Sequence, residues 1–310
     1  MTSSIDSLQL NSKLLNTSSP VIQWYPGHIA KAEHLLSHSI ASVDLIIEVR
    51  DARVPFSSTH PRLKLWCQDK KHVLVMNRRD MINDNTLYIW DSWLRLHGET
   101  PWWCDAKLGT GIKQLQKAII STNTTFNERR IARGMRARPV RAIVLGFPNV
   151  GKSALINRLA KQKIAPSARR AGITRSLNWV RVCKEIDLLD SPGILPPRLD
   201  DQRGALLLAI CDNIGEAAYN VELISISFLR ILQQLSTISN IGFEMNYLEQ
   251  KYNVRLPINL VNSLDWLRFA AEQHTNGDLI RMSQRLLDDF RRSHLGRIAL
   301  ELPPGTHIGS

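Results

Sequence analysis

The sequence predicts an α/β protein with a mostly parallel sheet flanked by helices, followed by a small α-helical C-terminal domain. Between residues 45 and 190, short apolar runs alternate with longer amphipathic segments, which is the pattern of βα units. One of these runs leads through a glycine-rich loop into a helix-like segment. From Gly204 onward, apolar residues recur at helical spacing over longer stretches. We therefore expect a flexible N-terminal arm at 1–21, an α/β domain at 22–203 and a helical domain at 204–310.

The apolar pattern also predicts the individual elements of the α/β domain. Helical spacing favours helices over residues 29–40, 87–96 and 112–120, whereas the polar and Arg-rich residues 123–138 favour a connection. Short apolar runs of the kind found in buried strands predict five strands. These strands are expected at residues 45–49, 73–76, 142–145, 179–183 and 186–189.

Composition excludes several classes of protein. Of the 310 residues, 44% are apolar and 22% are charged, which permits a sizeable core and argues against global disorder. The longest apolar run, residues 205–211, is far shorter than the roughly 20 residues of a membrane span, so we expect a soluble protein without a membrane partner. The four cysteines form no C-x-x-C pair, which argues against a zinc ribbon and a disulfide framework. With neither a secretory signal nor an Arg-rich transit pattern, a bacterial-type cytoplasm is expected, and an organelle stroma is the alternative.

Positive charge is concentrated in one part of the chain. The formal net charge is +12, and residues 129–184 contain fifteen Lys or Arg and no Asp or Glu. Such a surface predicts a polyanion partner, and the alternative is a merely well-solvated basic protein. The lack of interleaved aromatic residues favours recognition of RNA shape and phosphates over base readout. The expected RNA surface comprises Arg129, Arg130, Arg133, Arg136, Arg138, Arg141, Arg158, Lys161, Lys163, Arg169, Arg170 and Arg175.

A second basic stripe is possible near the C-terminus. Its members are Arg281, Arg285, Arg291, Arg292 and Arg297. Because the helical domain carries more acidic than basic side chains, an ordinary amphipathic helix is an equally good interpretation.

The glycine-rich loop has the sequence of a phosphate-binding loop. Gly146 through Ser153 fits G-x-x-x-x-G-K-[ST], with an apolar run before it and a helix-like segment after it. In this context backbone N–H groups surround phosphate oxygens at a helix N-terminus. Lys152 would reach the β- and γ-phosphates and Ser153 would ligate magnesium. The expected phosphate-contacting residues are Asn149, Val150, Gly151, Lys152, Ser153 and Ala154.

Two further tetrapeptides indicate which base is bound. Residues 190–193 fit D-x-x-G, in which Asp190 would support magnesium and the amide of Gly193 would meet the γ-phosphate. Residues 77–80 fit N-[K]-x-D with Arg78 in place of lysine. A carboxylate at Asp80 can accept hydrogen bonds from N1 and N2 of guanine, which adenine does not offer. Asn77 would brace the phosphate-binding loop, and the guanidinium of Arg78 could stack over the base. Ala106 and Lys107 would form the loop on the other side of the base.

The order of these motifs along the chain is unusual. The base motif at residues 77–80 and the loop at 106–107 precede the phosphate-binding loop, and Thr174 and residues 190–193 follow it. In this order the sequence resembles the YlqF/RbgA family of circularly permuted GTPases that assist large ribosomal subunit assembly. The resemblance is carried by residues 24–32 (WYPGHIAKA), 49–55 (VRDARVP), the phosphate-binding loop through 159, 172–174 (GIT) and 188–195 (LLDSPGIL). Departures from the family pattern are Arg78 and Ala171, where the family usually has lysine and proline.

The resemblance implies a circularly permuted P-loop GTPase fold that binds GTP or GDP with magnesium, hydrolyses GTP, and associates with rRNA and the large ribosomal subunit precursor. The position that usually carries a water-orienting glutamine is Ile194. The resemblance makes His28 the substitute, although a histidine after Pro-Gly is otherwise an ordinary turn or helix-start residue. It also implies that Thr174 coordinates magnesium and that Asn149 helps to bind potassium. We expect a monomer with slow hydrolysis that its ribosomal partner stimulates.

Two other functions are compatible with the same residues. One is a nucleotide-sensing, RNA-binding scaffold with negligible hydrolysis, which Ile194 and Arg78 favour. The other is a P-loop ATPase, which Asp80 disfavours because its carboxylate has no matching donors on adenine.

Overall fold

The computed structural model describes residues 22, 36, 39–67, 70–162, 178–191, 193, 201–238, 243–255 and 263–304. Two compact units are present, one formed by Tyr25–Asp80 and Leu94–Leu199 and the other by Met1–Trp24, Met81–Trp93 and Asp200–Ser310. The predicted arm at 1–21 and most of the predicted helix at 29–40 lie outside the described residues, whereas residues 36 and 39–41 are helical. The predicted boundary between residues 203 and 204 stays a prediction.

The first unit is built on a six-stranded sheet. Its strands are β1 (Leu45–Asp51), β2 (Lys71–Asn77), β3 (Pro101–Trp103), β4 (Val140–Leu145), β5 (Asn178–Cys183) and β6 (Ile186–Asp190). They are ordered β3-β2-β1-β4-β6-β5, and every neighbouring pair is parallel except the antiparallel hairpin of β5 and β6. The predicted mostly parallel sheet and all five predicted strands are confirmed.

The central strands are buried because helices and loops cover the sheet. All seven residues of β1 are buried, as are five of the six in β4. Strands covered on both faces are continuously apolar, which explains why their short runs were recognisable in the sequence. On one face, Ile46, Ile143 and Leu189 pack in a cluster with Leu36 and Trp66.

The helices of the described residues are α1 (Leu63–Trp66), α2 (Asp84–Leu96), α3 (Ile112–Ile131), α4 (Lys152–Ala160), α5 (Gln202–Ile210), α6 (Val221–Ser236), α7 (Asn246–Tyr252), α8 (Ser263–Thr275) and α9 (Leu279–Arg291). Short 3₁₀ turns occur at Arg79–Met81 and Glu216–Ala218. None of the helices in the described ranges has the length and apolar character that crossing a membrane requires.

Helix α3 is longer than the sequence predicted. The expectation of a connection over residues 123–138 is wrong for its first nine residues, which continue the helix to Ile131. Only one narrow face is buried, including Leu115, Ile119 and Asn123 at helical spacing. The exposed face is polar, so this half of the helix carried little apolar periodicity to detect.

In the second unit, the C-terminal helices pack through aromatic and aliphatic side chains. The rings of Phe228 on α6 and Phe290 on α9 lie 4.9 Å apart. Arg291 is one of the five arginines that either form a C-terminal basic stripe or belong to an ordinary amphipathic helix. It is buried and donates to the carbonyl oxygens of Ala209 and Ile210 at the end of α5, so it does not belong to an exposed stripe. A guanidinium at a helix C-terminus satisfies carbonyl groups that have no partner within the helix. Arg291 is therefore structural.

The topology places several strand ends next to one another. Asp51 at the end of β1 is in register with Asn77 at the end of β2, and Val144 of β4 is in register with Asp190 of β6. Parallel strands end at one edge of a sheet, and ligands of open α/β sheets bind at that edge. The predicted motifs at 77–80, 105–107, 146–153 and 190–193 all follow strands at this edge.

Candidate nucleotide-binding site

The loop between β4 and α4 adopts a conformation that requires glycine. Gly151 has a φ of 99°, immediately before α4 begins at Lys152, and a Cβ there would overlap Nδ2 of Asn77. Gly193 approaches the same loop from the end of β6, where an added Cβ would lie 2.5 Å from Cα of Pro148. Such close backbone approach and left-handed geometry exclude larger residues. The N-terminus of α4 therefore faces the edge of the sheet at which the motifs meet.

Lys152 is the buried cation of this loop. Its ammonium group donates to the carbonyl oxygens of Gly146 at 3.1 Å and Phe147 at 2.8 Å. Burial lowers the pKa of Lys152 to about 8, although the nearby carboxylate of Asp190 acts in the opposite direction. A buried ammonium favours an anionic neighbour, because its charge is poorly solvated. This side chain is thus suited to contact phosphate oxygens.

Asp190 and Ser153 supply oxygen atoms beside this cation. The hydroxyl of Ser153 lies 3.4 Å from Oδ2 of Asp190, and Oδ1 of Asp190 is buried with no hydrogen-bond partner among the described residues. Burial raises the pKa of Asp190, and Lys152 and Ser153 counteract this effect. Carboxylate and hydroxyl oxygens are the ligands that magnesium prefers, and a buried carboxylate oxygen without a donor favours a cation. The pair therefore fits a magnesium ion.

Asn77 connects the base motif to the phosphate-binding loop. Its side-chain Nδ2 donates to the carbonyl oxygen of Val150 at 2.8 Å, and its Oδ1 accepts from the backbone N–H of Ala106 at 3.1 Å. Asn77 is buried, so both bonds are made away from water. One side chain thereby fixes the relative positions of three loops that lie far apart in the sequence.

Asp80 lies beside the loop that contains Ala106 and Lys107. Burial and the neighbouring Asp105 raise the pKa of Asp80, whereas its own backbone N–H, Arg78 and Lys107 lower it. Asp105 holds the loop by accepting from the N–H of Lys107 at 2.7 Å. The carboxylate of Asp80 is half-buried, and its electrostatic neighbours come from both predicted base-side loops.

Arg78 contacts the phosphate-binding loop. It has a φ of 64°, and its Nη2 donates to the carbonyl oxygen of Asn149 at 2.5 Å while its Nε lies 3.5 Å from Oδ2 of Asp51. Asp51 also accepts from the side chain of Arg53 at 2.7 Å and 3.0 Å, and both of these side chains are fully buried. Positive charge from both arginines lowers the pKa of Asp51 to about 2 despite its burial. The guanidinium of Arg78 is therefore directed toward the phosphate-binding loop. Its expected stacking over the base stays a prediction.

The run of basic residues predicts Arg158 on the RNA surface, but in the structure its guanidinium lies at this site. From α4 its guanidinium donates to the carbonyl oxygens of Ala106, at 3.1 Å, and Lys107. It thus anchors the base-side loop to the helix that follows the phosphate-binding loop. The motifs also gave no role to Asp51 and Arg53, which form the buried ion pair beside Arg78, although residues 49–55 are among those that carry the family resemblance.

The remaining predicted site residues divide into two groups. Val150 and Ala154 lie in the phosphate-binding loop and the first turn of α4, and Gly193 lies against Pro148. His28 and Thr174 lie outside the described residues, so their proposed roles stay predictions. The described residues bring together the glycine-rich loop, the buried ammonium of Lys152, the oxygen atoms of Ser153 and Asp190, and the half-buried carboxylate of Asp80 beside the loop of Ala106 and Lys107.

The chain is similar to several known proteins. A family model described as "50S ribosome-binding GTPase" matches residues 141–247. Ribosome biogenesis GTPase A of Bacillus cereus is 32% identical over 287 residues, which cover 91% of this chain and 94% of that protein. The Bacillus pumilus protein of the same name is 36% identical over 289 residues, covering 91% and 99%.

A solved structure also shares the fold. The crystal structure of GNP-bound YlqF from T. maritima superimposes with a TM-score of 0.58 at 20% identity, covering 88% of this chain and 98% of that one. At this identity the likeness supports the fold, and the two Bacillus relatives carry the assignment to a family. With the permuted order of its motifs and these near full-length relatives, the chain belongs to the ribosome biogenesis GTPase A (RbgA/YlqF) family.

Proposed function

We propose that this protein binds GTP and GDP, hydrolyses GTP, and acts as a switch that associates with rRNA in large ribosomal subunit precursors and assists late 50S assembly. The observation that supports this function most directly is the double hydrogen bonding of Asn77 to Val150 and Ala106. It joins the upstream guanine motif to the downstream phosphate-binding loop, as a single guanine nucleotide site requires. The names of the family model and of the Bacillus relatives support the ribosomal part of the proposal.

In this proposal each described side chain has a defined task. Lys152 binds the β- and γ-phosphates, and the carboxylate of Asp80 accepts hydrogen bonds from the N1–H and N2–H groups of guanine. Ser153 and Asp190, with Thr174, would hold magnesium, which neutralises charge that develops on the phosphates. Asn149 would support a potassium ion in the same loop. Arg78 and Asn77 keep that loop in place by hydrogen bonds to the carbonyl oxygens of Asn149 and Val150.

Hydrolysis is expected to be slow in the isolated protein. Ile194 follows the D-x-x-G motif and has no group that could orient a water molecule. We propose that His28 supplies this function once a ribosomal precursor positions it. The partner would then raise the rate by ordering residues that complete the catalytic arrangement.

The test is the GTPase rate with and without assembly-stage large subunits, for the wild type, His28→Ala and the control His97→Ala. We expect the subunits to raise the rate of the wild type and of the control, but not that of His28→Ala. An unchanged stimulated rate in His28→Ala would remove His28 from the mechanism. A wild type whose rate does not respond to subunits would contradict the stimulated switch.

The second candidate is a nucleotide-sensing RNA-binding scaffold, which the aliphatic Ile194 favours. Single-turnover hydrolysis in potassium and magnesium separates the two functions. Complete conversion of bound GTP to GDP supports the enzyme, whereas GTP that stays intact while the protein remains bound to subunits supports the scaffold. In either case we propose a monomer in a bacterial-type cytoplasm, to be checked by light scattering and by fractionation of the source cells.

A further inference from the structure

A groove of about 240 Å³ opens at the opposite edge of the same sheet from the nucleotide site. It lies where β1, β2 and β4 begin, and helix α3 forms its other wall. We call this feature the basic groove, because its lining includes Lys70, Lys71 and Arg129 together with Asp44 and Phe126.

The charge of the basic groove is strongly positive. Asp44 is the acidic residue in its lining. Arg138 forms a bidentate ion pair with that carboxylate, at 2.7 and 2.9 Å, and so neutralises its charge. Lys71 and Arg129 are exposed, and within the described part of the chain neither side chain makes a hydrogen bond or an ion pair. These two cations are therefore available to an anion from outside the molecule.

Lys70 and Phe126 give the groove a fixed shape. The ammonium group of Lys70 donates to the carbonyl oxygen of Val43 at 2.8 Å, which holds the charge beside the start of β1. Phe126 on α3 has the guanidinium groups of Arg130 and Arg138 within 5.6 and 4.8 Å of its ring centre. These two contacts hold the ring of Phe126 in place at the wall of the groove, so that the exposed Lys71 and Arg129 border a surface whose shape is already formed.

We propose that the basic groove binds the phosphate backbone of RNA. This inference rests on the proposed function and assigns its RNA contact to one surface. The cavity is smaller than the roughly 300–1,000 Å³ of pockets that enclose a drug-sized ligand, which favours a segment of a larger polyanion. Lysine and arginine contact backbone phosphates without reading sequence. Because the groove and the nucleotide loop lie at opposite edges, RNA and GTP can be bound at the same time.

The proposal is tested with the full-length, GDP-loaded protein and a fluorescein-labelled RNA hairpin as the probe. The variant Lys71→Gln/Arg129→Gln removes the two available cations. A matched control, Lys113→Gln/Lys117→Gln, removes two exposed cations from the first half of α3, and Lys71→Arg/Arg129→Lys retains the charge. Fluorescence anisotropy between about 50 and 200 mM salt gives the affinity and its salt dependence for each protein.

We expect the groove variant to bind the hairpin about thirtyfold more weakly near 0.1 M salt, with the slope of log K against log salt reduced by about 2. The control and the charge-retaining variant should match the wild type. GDP affinity should be equal in all four proteins, which shows that each is folded. If the groove variant matches the control in affinity and slope, the proposal is wrong.

Co-sedimentation with large ribosomal subunits separates this inference from the proposed function. A groove variant that loses subunit binding but keeps its hairpin affinity would show that a ribosomal protein occupies the groove, which overturns the RNA assignment. If subunit and hairpin binding persist undiminished in that variant, the groove proposal fails and the proposed function stands. A wild type that binds GDP but neither hairpin nor subunits overturns both.

Discussion

The side-chain amide of Asn77 donates to the carbonyl oxygen of Val150 at 2.8 Å, across 73 positions of the sequence. The bond is buried, and the same side chain accepts from the N–H of Ala106. Because the base motif precedes the phosphate-binding loop in this chain, the two parts of the site are held together by tertiary contacts. Asn77 is therefore the residue on which the integrity of the site depends most directly.

Replacing Asn77 with alanine should weaken GDP binding. Loss of two buried hydrogen bonds costs about 2 kcal/mol, which corresponds to roughly a thirtyfold higher Kd. Titration calorimetry with GDP measures this change. The control is Asn127→Ala, because the side-chain amide of Asn127 also links two segments, helix α3 and the backbone of Arg138, but lies at the other edge of the sheet. Equal GDP affinities in the two variants would contradict the bracing role.

A methyl group at Gly151 should damage the site more than one at Gly134. Both glycines have positive φ values, 99° and 73°, so alanine is strained by about 1–2 kcal/mol at either position. Only at Gly151 does the added Cβ also overlap Asn77, whereas Gly134 has open space around it. We expect Gly151→Ala to lower GDP affinity at least tenfold, as a loss of more than about 1.4 kcal/mol would. Gly134→Ala should bind GDP normally.

Thermal unfolding of both glycine variants checks the strain itself. Their melting temperatures should fall by similar amounts if strain alone acts, and further for Gly151→Ala if the overlap also destabilises the fold. Normal GDP binding by Gly151→Ala would show that the loop can adjust around the methyl group.

The carboxylate of Asp80 should determine which base is bound. In Asp80→Asn, the side-chain amide brings an N–H group to the position where guanine N2 also donates, so one hydrogen bond is lost and two donors oppose each other. In pockets built to hydrogen-bond a ligand, leaving polar groups unpaired in this way lowers the preference for that ligand by a factor of about 10⁴ or more. Xanthosine diphosphate offers a carbonyl oxygen at that position and should bind the variant better than GDP does.

Competition of GDP, xanthosine diphosphate and ADP for a fluorescent nucleotide measures this change of preference. ADP should bind weakly to the wild type and to the variant, because neither side chain is matched to its edge. A variant that still prefers GDP would place the base away from Asp80.

The sequence predicted the parts of this fold that depend on local pattern. The central strands β1 and β4 were recognisable because almost all of their residues are buried. Strand β1 nevertheless extends two residues past its predicted end, to Asp51, and β2 extends one residue past its predicted end, to Asn77. These polar residues belong to the strands because their backbones pair with neighbouring strands, and the pattern of apolar side chains does not reveal such pairing. Strand β3 was missed because it has only three residues and begins with Pro101 at the edge of the sheet.

The contacts that build the site were harder to predict. Motif spacing singled out Asn77, Asp80, Lys152 and Asp190 as candidates, since their expected chemistry is tied to short sequences. It did not reveal that Arg158 holds the base-side loop, because this contact joins residues more than fifty positions apart and its arginine lies in a run of basic residues. A charged residue in such a run is predicted to be solvent-exposed, and only the tertiary structure shows that it has a hydrogen-bond partner.

Nucleotide affinity should depend on pH through Lys152. Burial lowers the pKa of its ammonium group to about 8, from an ordinary value of 10.5. Phosphate oxygens that approach the group favour its charged form and raise this pKa, so binding is coupled to proton uptake. The affinity is therefore fully present below pH 8 and falls as the pH rises through that value. Between pH 7 and pH 8.8, the Kd for GDP should increase roughly sixfold to sevenfold.

Calorimetry in two buffers of different ionisation enthalpy tests this coupling directly, since uptake of a proton at pH 8.8 makes the observed heat depend on the buffer. At pH 7, where Lys152 is already charged, the dependence should largely vanish. The variant Asn127→Ala, which leaves the site intact, should behave as the wild type does. A Kd that stays constant from pH 7 to 8.8, with no buffer-dependent heat, would mean that Lys152 keeps its proton throughout. In that case the loop carbonyl oxygens of Gly146 and Phe147 stabilise the ammonium group more than its burial destabilises it.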